Sequence, residues 1–129
     1  MTYVDGFVVP VVTKKLDSYR KLARRASKIW IEHGALDYKE CALEDNKDYK
    51  FCAQFPKAFK SKKGETVVFA YIVYKSRKHR DQVNKKVMAD PRLKCDPDNM
   101  PFDCRRMAYG GFETIVEAQK TKRKTGRKK

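Results

Sequence analysis

Histidine is nearly missing from this chain, with two in 129 residues, and glycine and proline are sparse at six and five. Neither histidine belongs to a metal-binding helix pair. His33 stands at the end of a helical pattern, where an imidazole satisfies terminal carbonyls, and His79 falls in the first turn of a basic one. There is no phosphate-cradling glycine loop and no nucleophile elbow. The four cysteines, Cys41, Cys52, Cys95 and Cys104, form no C-x-x-C pair and no compact secreted framework, so free thiols are expected, with no metal and no cofactor. Apolar runs such as 7–12 stop far short of the roughly 20 residues a membrane helix needs. The start, Met1-Thr2-Tyr3-Val4-Asp5, lacks the basic, apolar and small-residue succession of a signal peptide, which predicts a cytoplasmic protein.

What is plentiful is positive charge. The net charge is +15, yet residues 120–129 alone carry seven cations and no acid, leaving 24 basic and 16 acidic residues before them. Nearly half of the excess therefore sits on a tail, and residues 118–129 read as a disordered basic terminus following one domain at 1–117. A domain of this size buries roughly 65% of its unfolded surface, and fifteen aromatic residues supply a core. Lys120, Lys122, Arg123, Lys124, Arg127, Lys128 and Lys129 could neutralise phosphates without reading sequence, which makes non-specific nucleic-acid binding one candidate function.

Residues 3–12 read as a valine-rich strand. Thr13 is the expected N-cap of a helix whose apolar positions, Leu16, Tyr19, Leu22, Ala23, Ala26, Ile29 and Trp30, recur every three or four residues until Gly34 closes it. A second strand is expected over 35–43, then a polar crossing to about residue 65 in which 50–59 reads as an added strand or short helix. Residues 66–74 form the clearest strand. Ser76 then caps a helix to about Ala89, with Val83, Val87 and the stem of Arg80 turned to the sheet. The last strand is expected over 105–116.

The order β-α-β-β-α-β specifies an α+β, ferredoxin-like sandwich, an antiparallel sheet with both helices on one face. In the third strand Val67, Phe69, Tyr71 and Val73 alternate with Val68, Ala70, Ile72 and Tyr74, so neither sheet face is polar. The face without helices needs a cover, and a homodimer through the sheets is expected. Phe69 to Tyr74 also fits six positions of the RNA-recognition-motif pattern, but Val67-Val68 stands where that pattern has a basic residue and glycine, so packing in an interface is preferred.

Three segments, 100–113 (MPFDCRRMAYGGFE), 3–8 (YVDGFV) and 89–92 (ADPR), closely resemble the YbaA-like family of uncharacterised bacterial proteins, over residues 1 to about 117. The resemblance implies a dimeric α/β-barrel fold. Within those motifs Asp5 and Glu113 are carboxylates on apolar strands, which are costly unless paired. Gly6, Gly110 and Gly111 permit close backbone approach. A small ligand pocket lined by Asp5, Tyr71, Arg92, Tyr109 and Glu113 is the functional expectation, with strands one and four expected not to be neighbours. The leading function is a small-molecule or partner site at or near the dimer sheet. A cofactor-independent monooxygenase or isomerase is the enzymatic alternative, on fold analogy alone.

Overall fold

The computed structural model describes residues 1–93 and 100–120. β1 (Tyr3–Val12) leads through a 3-10 turn, Thr13–Lys15, into α1 (Leu16–Glu32). Thr13 does not cap this helix: its amide is bonded to the Gly64 carbonyl at 2.9 Å, and no side chain caps either the turn or α1. Gly34 ends α1 at φ +118°, with its amide on the Ile31 carbonyl and that of Ala35 on Trp30, the paired bonds of a Schellman motif. Because Ala35 is spent on that motif, β2 is shorter than expected, Asp37–Ala42. In the crossing only α2 (Phe55–Ala58) is helical. β3 (Glu65–Tyr74) follows, then α3 (Arg77–Met88), whose N-cap Ser76 accepts from the His79 amide as expected. β4 is Ala108–Glu113; Arg105 and Arg106 belong instead to a 3-10 turn capped by Asp103, and beyond Glu113 the β1 partner has run out.

All neighbouring strands are antiparallel, in the order β2-β3-β1-β4. The chain is thus an α+β domain with a four-stranded antiparallel sheet and helices, compatible with a ferredoxin-like sandwich. The expected separation of strands one and four fails: they are neighbours, with Asp5 opposite Gly111. The two crossovers interleave, α1 carrying the chain past β3 and α3 carrying it past β1, so the ten-residue strands take the centre.

The helix-facing side can be read row by row in the order β4, β1, β3, β2. One row is Tyr109, Phe7, Ala70, Glu40; the next is Gly111, Asp5, Ile72, Tyr38. Two core clusters form over it. Ile29, Ala35, Ile72, Tyr74, Val83 and Val87 make one, and Val9, Val11, Tyr19, Ala23 and Val68 the other. No helix among the described residues is long and apolar enough to cross a membrane.

Candidate functional site

Asp5 is 1% exposed in the middle of β1, a placement tolerable only with partners. They come from two other elements. Val83 and Val87 turn one stripe of α3 to the sheet, and Arg80, one turn earlier on that stripe, reaches Asp5 Oδ1 with Nη1 at 2.8 Å. Tyr109, from the adjacent β4, donates its hydroxyl to the same oxygen at 3.1 Å and accepts from Arg80 Nη1 at 2.7 Å. Burial, then the Asp5 charge, pushes the Tyr109 phenol above its ordinary range, so it remains a donor. The guanidinium lies 5.0 Å over the ring of Tyr3. Gly111 makes this possible. A methyl there would stand 3.0 Å from Cε2 and Cζ of Tyr3 and closer still to its hydroxyl. On the other face the ring of Phe112 covers both Gly6 and Gly110.

Beside this cluster the layers separate. Ala23 and Ala26 of α1 face Ala70 of β3 across the gap, and three such short side chains leave a cavity of about 510 Å³, within the range of small-molecule sites. Its walls are mainly aromatic and aliphatic, with Phe7 and Trp30 closing the side toward Asp5. Trp30 is fixed there by Nε1, which donates to the Tyr74 hydroxyl at 3.1 Å and to Asn84 Oδ1 at 3.3 Å. The polar feature is Glu40. Tyr19 donates to its Oε1 and Tyr38 to its Oε2, each at 2.6 Å. Burial and the Glu40 charge drive both phenols far above their ordinary range, so both stay protonated. An outer recess of about 270 Å³ shares Tyr19, Tyr38 and Glu40 and is rimmed by Arg20 and Arg24.

Of the five residues expected to share a pocket, only Asp5 and Tyr109 meet. Tyr71 pairs with Gly6, one position out of phase with Asp5, and so lies on the opposite face, with Lys39 Nζ 5.6 Å from its ring centre. Arg92 bridges Asp90 and Glu32, each at 2.7 Å. The hydrogen bonds that Asp90 receives from Arg92, with one from His33, hold its carboxyl well below the usual carboxylate range. Glu113 is exposed at the end of β4, opposite Tyr3. Of the basic tail, Lys120 is described, whereas Lys122, Arg123, Lys124, Arg127, Lys128 and Lys129 lie outside the described residues, as does Cys95. Among the described residues Cys41, Cys52 and Cys104 are free thiols, and no three potential His, Cys, Asp or Glu ligands converge on a metal position.

Sequence reasoning missed Glu40, Tyr19 and Tyr38 as a group, and saw Arg80 only as a stem. A signal for Glu40 existed: in β2 it shares the parity of Tyr38, which marks an acid on an inward row.

An α+β domain with an open antiparallel sheet, an ionic cluster under one helix and an apolar cleft under the other defines no reaction by itself. Residues 2–104 match the family described as "Protein of unknown function (DUF1428)", and the chain belongs to that family. It is 47% identical over 117 residues to the uncharacterized protein YbaA of Escherichia coli strain K12, covering 91% of this chain and 99% of that protein. The YbaA protein of Shigella flexneri matches to the same extent. Among solved structures, the de novo designed protein Foldit4 matches at a TM-score of 0.43 with 8% identity, over 91% of this chain and all of that one.

Proposed function

We propose that this protein binds a small, largely apolar molecule in the cleft between α1 and the sheet. One observation carries the reading: a cavity of about 510 Å³ with mostly apolar walls and a carboxylate held by two phenols at one side, the pattern of a site that binds by area and orients by one polar group. This puts the ligand on the helix side of the sheet rather than between two sheets. The enzymatic alternative requires a group able to take a proton near neutral pH. Tyr19 and Tyr38 stay protonated and cannot be that group, and Glu40, the carboxylate that an enzymatic reading would have to use, already holds a phenol on each oxygen. The neutral dye Nile red, titrated into the full chain, is expected to saturate with a rise in emission, and Ala26→Trp, which fills the cleft, to weaken binding about 100-fold. Unchanged dye affinity in Ala26→Trp would show that the cleft is not the site.

We also propose that two copies pair through the open sheet face, in the manner of a ferredoxin-like dimeric α/β barrel. Phe69 and Phe112 are 45% and 59% exposed there, beside Val4, Val8 and Tyr71, and β1 contributes no charge to that face. Two copies of a chain with net charge +15 repel over most of their surfaces, so a face whose central residues are apolar, and whose charges at the β2 edge, Asp37 and Lys39, neutralise each other, is where they can meet. Native mass spectrometry of the full chain is expected to show a dimer, and Phe69→Glu a monomer. A wild-type monomer at micromolar concentration would end this reading.

A further inference from the structure

We infer that the ligand of the α1 cleft is a planar aromatic molecule, neutral in charge, that donates a hydroxyl to Glu40; this rests on the cleft being a binding site at all. Three features select that chemistry. The first is the wall. Phe7, Tyr19, Trp30, Tyr38 and Phe102 all border the cavity, and Met88, Met100 and Met107, three of the chain's four methionines, line it as well. Rings favour stacked and edge contacts with other rings. Thioethers are polarisable, adapt their shape and favour ring edges. A saturated chain gains only its area from such a lining, whereas a flat π-system gains the oriented contacts as well.

The second feature is the acceptor. Each Glu40 oxygen takes one phenol, at 2.6 Å, and a carboxylate has about four lone-pair sites, so acceptor capacity is left over. Tyr19 and Tyr38 have their protons committed to Glu40. The cluster therefore offers a ligand an acceptor and asks it for a donor. A ligand with only acceptors, an ether or ketone, would set its lone pairs against a carboxylate.

The third feature is charge. An anionic ligand would be repelled by Glu40. A cation would be repelled by the net charge of +15 on its approach and would have to shed its hydration to enter an apolar cleft. A neutral hydroxyl meets neither barrier.

Three uncharged probes separate the claims: naphthol, its methyl ether, and octanol, each titrated into the full-length protein by calorimetry. Naphthol is expected to bind about tenfold or more tightly than the ether, the margin for a hydrogen bond to a charged acceptor. Glu40→Gln, which keeps the size of the side chain and removes the charge, is expected to shrink that gap to about threefold or less, with the ether binding at least as tightly as before. Octanol is expected to be the weakest of the three. Equal binding of naphthol and ether overturns the hydroxyl donor but leaves the cleft as a site. Tighter binding of octanol overturns the aromatic class. If none of the three binds, and Ala26→Trp also leaves the response to Nile red unchanged, the underlying reading of the cleft fails with it.

Discussion

Replacing Arg80 with methionine is expected to lower the unfolding free energy by about 3 kcal/mol, and the melting temperature by roughly 10 °C, because it strands the Asp5 carboxylate at 1% exposure without the cation that balances it. Breaking one side of a buried pair costs far more than the pair contributes. The companion variant makes the mechanism visible: Asp5→Leu combined with Arg80→Met removes both charges, keeps the apolar volume, and is expected to regain at least half of the loss. Thermal unfolding of the two variants side by side is the measurement. An Arg80→Met protein as stable as wild type would mean that water reaches Asp5 and that the cluster does not anchor α3. The same experiment bears on the cleft, because the ring of Phe7, in its wall, packs against that of Tyr109 with centres 5.0 Å apart. Loosening of the cluster is therefore expected to weaken Nile red binding as well.

Gly111→Val is expected to destabilise the protein by about 2 kcal/mol, against the preference of β-strands for valine, which by itself favours the substitution by up to about 1 kcal/mol. The reason is the ring of Tyr3, which already occupies the space of the missing side chain. A branched side chain would expel it, ending its contact with Arg80 and opening the cover over Asp5. The coupling can be isolated. If expulsion of Tyr3 is the whole cost, Tyr3→Ala with Gly111→Val is expected to be no less stable than Tyr3→Ala alone. A Gly111→Val protein of unchanged stability would show that the ring swings aside freely and that the glycine is not there for Tyr3.

Much of this molecule is legible along the chain because its causes are local. The three-and-four stripe from Leu16 to Trp30 is the buried face of α1, Gly34 closes that helix at positive φ, Ser76 caps α3, and the β-branched run before Tyr74 is β3. In each case the pattern that marks the element is written within one short segment, even where, as in β3, its partners in β1 lie some fifty to seventy residues away. Where the chain departs from the simplest local pattern, local logic failed: Thr13 has the residue type of a cap, but it opens a 3-10 turn that keeps it three residues ahead of α1, with its amide on the Gly64 carbonyl some fifty residues on. The candidate site belongs almost wholly to that second kind. Asp5 and Tyr109 were singled out from the sequence, yet they meet only because β4 lies beside β1, and Tyr71 is excluded only because register sends it to the other face. The cleft has the same origin, since the short side chains of Ala23, Ala26 and Ala70 mean nothing until α1 lies across β3 with Glu40 one strand away. The sequence by itself determined the elements, the close of α1 at Gly34, the cap of α3 at Ser76 and the buried faces of the helices, because each arises from pattern and propensity within one segment. Only the tertiary structure decided which strands adjoin, and hence which acid finds its arginine and where a gap opens, because crossover and closure are settled by all the segments packing together and by no one of them alone.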